Sequence, residues 1–174
     1  MTELLRQPFE SYMDERLFRP LGMLSSGYVW NDTFAVSMAR PHDSDGRAID
    51  NKRSTADEVG RYGVAGALLT TPTDFARFVV AIIDPGPRDT FRLDENSVTE
   101  MLRPHVGLEG GVYSGSWALG WQIFHNRDRD FLYHGGDNEG FHCFAVASVA
   151  GKSGIVVMTN GESGTALFAE AHRG

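Results

Sequence analysis

The spacing of apolar residues changes once along this chain, and that change limits the folds open to it. Before Pro104 the periodic apolar stretches recur at helical spacing, and after it they alternate with a period of two. Helices followed by a run of alternating strands imply an α+β fold, an antiparallel sheet packed with helices. We expect a single domain over 1–174. Its helical and loop part would span 1–104, with antiparallel strands and the start of a C-terminal helix at 105–174. At 174 residues the chain can bury a substantial core.

Pro8 to Phe18 reads as a short helix, with Phe9, Tyr12, Met13 and Leu17 near helical spacing and Pro20 as its stop. From Leu24 to about Tyr62 the turn signals Asn31-Asp32, Arg40-Pro41, Asp43-Ser44-Asp45-Gly46 and Asp50-Asn51 predict a long irregular segment. A second helix follows. Thr71 is its cap, Pro72 its first residue, and Asp74 the acid that reaches back in a capping box. Phe75, Phe78, Val79, Ile82 and Ile83 form its buried stripe, and Pro85-Gly86-Pro87 ends it. A third helix runs from Glu95 to Arg103 behind Asp94, with Leu93 and Val98 placed for a hydrophobic staple.

Beyond Pro104, Trp117, Leu119, Trp121 and Ile123 alternate with smaller or polar residues, as in one half-buried strand. Asn126-Arg127-Asp128 turns the chain into Phe131-Leu132-Tyr133-His134. Phe141–Ser148 and Ile155–Thr159 read as two further strands joined through Ala150–Gly154, and Thr165–His172 as the start of a helix.

Several functions are excluded by composition. A formal charge of −7 opposes non-specific nucleic-acid binding, which needs Lys and Arg against phosphates. No apolar run is long enough for a transmembrane segment, and the first residues lack the basic and apolar regions of a signal peptide. Cys143 is the single cysteine, so neither an internal disulfide nor a thiolate zinc cluster is available. The histidines are scattered without a His-Glu-x-x-His pattern. His134 and His142 can approach across adjacent strands, but no carboxylate shares their spacing, so no metal is expected.

Three phosphate- or nucleophile-like runs fail on spacing. Ala150-Gly151-Lys152-Ser153 has Val146 where a phosphate loop needs its first glycine, and a strand follows where a helix is required. Gly161-Glu162-Ser163-Gly164 and Gly151-Lys152-Ser153-Gly154 miss the final glycine of a nucleophile elbow. Asp43, Asp45 and Asp50 lack calcium-loop order and read as a solvated turn.

The run His134-Gly135-Gly136-Asp137-Asn138-Glu139-Gly140-Phe141 is the candidate site. It puts an ionisable ring beside two residues without side chains at the end of a strand, where a substrate backbone can approach. A turn needing positive φ is the structural alternative. Acid–base chemistry by His134 with Asp130, Asp137 or Glu139 is a further reading.

Five segments in order resemble the β-lactamase-related serine hydrolases, a family of class C β-lactamases, D-alanyl-D-alanine peptidases, D-amino-acid peptidases and carboxylesterases. Phe18-Arg19-Pro20-Leu21-Gly22-Met23 is similar to the family's Pro-Leu-Gly-Met segment. Gly66 to Phe78 resembles its Gly-Gly-Leu-x-Ser-Thr-x-x-Asp-Leu-x-x-Phe stretch. Leu119-Gly120-Trp121, then His134-Gly135-Gly136 with Gly140-Phe141, and finally Val156-Val157-Met158-Thr159-Asn160 resemble its late strands.

The resemblance implies the C-terminal portion of the β-lactamase/penicillin-binding-protein-like fold, an incomplete domain. The family builds its site from Ser-x-x-Lys, Tyr-x-Asn or Ser-x-Asn, and Lys-Thr-Gly or His-x-Gly. Only the third is present here, as His134-Gly135-Gly136; Lys52 and Lys152 are preceded three residues back by Ile49 and Val149. The natural expectation is a C-terminal fragment of a hydrolase that cleaves an ester, amide or peptide-like small molecule through an acyl-enzyme, without cofactor, and is inactive alone. By resemblance, His134, Gly135 and Gly136 line the acyl pocket and the Asp137 backbone N–H is an oxyanion donor. A complementary N-terminal segment or self-association through an unpaired Phe131 or hairpin edge would complete it. The alternative is a non-catalytic binding or interaction module that kept the fold.

Overall fold

The computed structural model describes residues 6–61, 63–86, 93–108, 115–126 and 129–167. Short helices come first: α1 Phe9–Met13, a π-helical turn Asp14–Phe18, α2 Arg19–Leu21, α3 Asp32–Ser37, α4 Ala56–Arg61 and a 3-10 turn Gly63–Ala65. Two longer helices follow, α5 Pro72–Ile83 and α6 Glu95–Leu102. Six strands complete the order: β1 Val106–Leu108, β2 Gly115–Trp117, β3 Gln122–Asn126, β4 Arg129–Asn138, β5 Phe141–Ser148 and β6 Ser153–Thr159, then a 3-10 turn Glu162–Thr165. The strands form one antiparallel sheet in sequence order, so each hairpin adds the next neighbour.

Five expectations need correction. The first helix does not stop at Pro20. A wide π turn precedes it, and Pro20 enters the first positions of α2, where its missing N–H interrupts no ladder bond. The segment from Leu24 to Tyr62 is less irregular than its turn signals suggest. Asn31 caps α3 by accepting from the Thr33 and Phe34 N–H groups, and Thr55 with Glu58 forms a capping box at α4. Tyr62 itself lies outside the described residues.

Trp117, Leu119, Trp121 and Ile123 do not share one strand. The chain turns at Leu119-Gly120, with the Ala118 N–H donating to the Trp121 carbonyl at 2.7 Å, so these residues belong to a β2–β3 hairpin. Ala118, Trp121 and Ile123 are buried, whereas Leu119 is exposed. The fourth correction concerns Phe131. It pairs with Phe124 in the middle of the sheet; among the described residues the outer strands are β1 and β6, so of the two expected edges it is the β5–β6 hairpin that lies outermost. The turn residues Arg127 and Asp128, and Thr165–His172 beyond Leu167, fall outside the described residues.

Two apolar clusters hold these parts together. In one, Val79 and Ile83 of α5 pack on Trp121, Ile123, Leu132, Ala145 and Ala147 of the sheet. In the other, Phe9, Phe18, Met23, Tyr28 and Val59 gather the early helices. Phe78 of α5 touches both, so this helix is the joint between helical and sheet parts. Burial pushes the Tyr28 phenol up to about 12, and nearby Glu10 adds to the effect.

The start of α5 is fixed from two directions. Thr71 caps it by accepting from the Asp74 N–H at 3.2 Å. Asp74 does not reach back to close a capping box. Its carboxylate, buried in the fold, accepts from the Ser25 N–H at 2.8 Å and the Ser26 hydroxyl at 3.1 Å, and pairs with Arg77. One side chain thus ties the Leu24–Ser26 loop to the helix that carries the sheet.

Thr71→Ala should lower unfolding free energy by about 1 kcal/mol, the usual value of a cap. Asp74→Ala should cost about 2 kcal/mol, because it removes a buried acceptor shared by the Ser25 N–H, the Ser26 hydroxyl and Arg77. Urea denaturation checks both. Equal losses would reduce Asp74 to a local helix residue.

Candidate functional site

The site begins with a mismatch in strand length. β3 accompanies β4 only as far as the pair Gln122–Tyr133. β5 accompanies it to the pair Asn138–Phe141. Among the described residues, His134 to Asn138 therefore has a strand neighbour on one side only.

Register then decides which backbone groups face the open side. Asn138 and Phe141 flank the two-residue turn Glu139-Gly140, so they form the hydrogen-bonded pair that closes this hairpin. Bonded and non-bonded pairs alternate along an antiparallel ladder. Asn138, Gly136 and His134 thus direct their N–H and C=O to β5. Gly135 and Asp137 direct theirs to the side that β3 leaves open.

His134 is exposed at the beginning of this run. The expected strand end is not there; His134 lies within β4, which continues to Asn138. Two indoles meet its ring edge-on, Trp117 at 6.3 Å and 70° and Trp121 at 6.4 Å and 84°. Trp121 is buried and stacks on Phe78 of α5 at 6.4 Å, which links the His134 surroundings to the core. By sequence both tryptophans read as strand packing; only the Leu119-Gly120-Trp121 resemblance pointed near the site.

The two glycines serve different ends. A Cβ on Gly135 would lie 2.7 Å from the Tyr133 hydroxyl, so that phenol occupies the space over Gly135 on one face. On the other face a Cβ on Gly136 would lie 3.2 Å from the Cys143 sulfur. The room left by the missing side chains is thus partly filled by the protein itself, and the backbone edge is the surface left to a substrate. Burial, helped by the charge of Asp137, pushes up both the Tyr133 phenol and the Cys143 thiol, which keeps them protonated near neutral pH.

Asp137 is held by a partner that sequence reasoning missed. His142 sits opposite it in the register and meets its Oδ1 through Nδ1 at 2.6 Å. The other ring nitrogen of this buried histidine lies 3.7 Å from the Glu162 carboxylate. Glu162 accepts from the Gly140 N–H at 2.8 Å and donates its own N–H to the His42 carbonyl at 3.0 Å. The Asn138 side chain donates to the Gly66 carbonyl at 3.2 Å. The far end of β4 is thereby fixed to three separate loops. The adjacent hairpin positions of Asp137 and His142 were the signal that could have found the pair.

Other expected groupings do not form. His134 is paired with Ala145 in register, and His142 points to the opposite face of the sheet, so the two do not approach as a metal pair. His142 does have two carboxylates beside it, which corrects the expectation that none shares its spacing; even so, no group of three or more metal-ligating side chains occurs among the described residues. Of the three acid–base partners expected for His134, Asp130 is paired with His125 and Asp137 with His142.

This antiparallel sheet backed by helices matches part of the β-lactamase/penicillin-binding-protein-like fold. The family model described as Beta-lactamase matches residues 2–174, and the chain belongs to that family of serine hydrolases. It is similar in structure to the octameric penicillin-binding protein homologue from Pyrococcus abyssi, with a TM-score of 0.75 and 19% identity over 92% of this chain and 35% of that one. The D-alanine carboxypeptidase AmpC from Burkholderia cenocepacia matches with a TM-score of 0.72 and 17% identity, over 92% of this chain and 52% of that one. A human protein described as beta-lactamase-like is 23% identical over 133 residues, 76% of this chain and 25% of its own length. The chain thus spans about half or less of the length of these relatives.

Two substitutions test how the ends of the site strands are set. Gly140 has φ of 68°, and a Cβ there would lie 2.6 Å from the Pro41 Cβ and 3.0 Å from the His42 nitrogen. Gly140→Ala should cost about 3 kcal/mol, combining backbone strain with the clash. Gly120 has φ of 83° with open space around it, so Gly120→Ala should cost only about 1 kcal/mol. Urea midpoints separate the two cases, and equal losses would show that Pro41 and His42 give way freely.

Proposed function

We propose that this chain supplies the substrate-binding edge of an acyl-transfer site that hydrolyses a small ester, amide or peptide-like molecule. The observation that carries the reading is the open run of β4, where Gly135 and Asp137 turn their backbone groups away from β5 beside the exposed His134. A substrate amide laid along this edge extends the sheet by one strand, pairing with Gly135. The Asp137 N–H then donates to the oxygen on which charge develops in the tetrahedral intermediate. His134 holds a substrate carboxylate or carbonyl at the entrance to the edge. Gly136 keeps the opposite face flat where Cys143 packs beneath it.

In this reading the nucleophile and its base come from residues beyond these 174, since no Ser-x-x-Lys or Tyr-x-Asn occurs among them. Acyl transfer needs an activated hydroxyl, and an edge without one binds but does not turn over. No cofactor enters such chemistry. The relatives named for D-alanine carboxypeptidase or β-lactamase activity support the reaction class, and the His-Gly-Gly run supports peptidase or esterase relatives over a dedicated β-lactamase.

Amide NMR of the chain titrated with N-acetyl-D-alanine tests the proposal. Shifts should centre on Gly135, Gly136 and Asp137, and His134→Ala should weaken binding by about tenfold, the loss of one charge-assisted hydrogen bond. A fluorophosphonate probe should leave the chain unlabelled by mass spectrometry. Shifts that avoid β4, or a covalent adduct on any serine of the chain, would overturn it.

A further inference from the structure

We infer that Trp117 forms an apolar subsite beside His134, and that the site prefers substrates carrying an aromatic acyl group to those carrying a small one. The inference rests on the substrate-edge reading above and adds the substrate class. Of the two indoles around the His134 ring, Trp121 is 4% exposed and has its other contacts in Phe78 and the core, so it offers a ligand almost no area. Trp117 is 39% exposed and meets His134 edge-on at 6.3 Å. Its contact with His134 places it at the start of the singly paired run of β4.

The position of Trp117 is fixed rather than incidental. Its carbonyl accepts from the His105 N–H at 2.8 Å, and its strand is paired with both Val106 of β1 and Gln122 of β3. The next exposed apolar residue along the hairpin is Leu119, whose N–H donates to the Met101 carbonyl at 3.0 Å. An exposed indole held rigidly costs little ordering entropy when a ligand covers it, and an aromatic group stacked there gains both buried area and ring geometry. A methyl group reaching from the same edge covers little of that surface. The combination of an imidazole for an acidic or carbonyl oxygen and an indole for an apolar body selects an aromatic amide or ester.

The test compares N-benzoyl-D-alanine with N-acetyl-D-alanine by amide NMR on the 174-residue chain. The benzoyl compound should bind about tenfold tighter, a gain expected from burying part of one aromatic ring. Trp117→Ala should abolish that advantage, bringing the two compounds to equal affinity. Trp117→Phe, a milder change that keeps an aromatic surface, should retain most of it and guards against a folding defect in the alanine variant. His134→Ala should weaken both ligands alike. Equal affinity for the two compounds, or a benzoyl advantage that survives Trp117→Ala, would overturn the inference with the edge reading intact. Absence of any shift at Gly135–Asp137 with either compound would remove the edge reading and the subsite with it.

Discussion

The site depends on where the β2–β3 hairpin turns. Because the chain reverses at Leu119-Gly120, β3 starts at Gln122 and its ladder with β4 ends at Tyr133. A strand that began about five residues earlier would cover β4 to its end and leave no edge for a ligand. The turn is stabilised by the bond from the Ala118 N–H to the Trp121 carbonyl and by the burial of Trp121 against Phe78. Packing of one indole on α5 therefore sets the length of a strand, and the strand length sets the binding edge. An exposed edge invites unwanted pairing. Here it is short, flanked by an imidazole and an indole, and ends in the polar residues Asp137 and Asn138.

A second constraint keeps that edge rigid. β4 is paired through its site end with β5 on the closed side, and its tip is tied down by side chains from other segments. His142 links Asp137 to Glu162, Glu162 holds the Gly140 N–H, and Asn138 reaches the Gly66 carbonyl. The early loops therefore brace the site from a distance. His42 anchors Glu162 through its carbonyl, and the Leu24–Ser26 loop anchors α5 through Asp74. A backbone donor is useful in catalysis when it does not reorganise as charge develops. These bonds, drawn from residues distant in sequence, supply that stiffness.

Much of the fold is legible in the sequence because it rests on local periodicity. The stripe from Phe75 to Ile83 and the cap at Thr71 define α5, and alternation defines β5 and most of β6. The Trp117–Ile123 region misleads for a physical reason. The residues that close a two-residue hairpin face the same side, so Ala118, Trp121 and Ile123 form the buried set, while the period-two run of the sequence crosses the turn without marking it. Pro20 misleads because a stop signal assumes an ordinary helix, and the preceding π turn changes the ladder. Asp74 misleads differently: its spacing from Thr71 suits a capping box, but a loop far earlier in the chain, at Ser25 and Ser26, competes for its carboxylate. At the site, the His134-Gly135-Gly136 run is visible by resemblance. Its open edge, the indole pair and the Asp137–His142 contact are not, since each depends on register between strands.

Gly135 and Asp137 present their backbone groups on an open edge while their neighbours pair with β5. Residue-resolved amide hydrogen exchange of the chain tests this most directly. An open edge gives an alternating pattern along β4, with slow exchange at His134, Gly136 and Asn138 and much faster exchange at Gly135 and Asp137. Uniform protection from His134 to Asn138 would mean that a further strand covers the edge and that Gly135 and Asp137 are not open to a ligand.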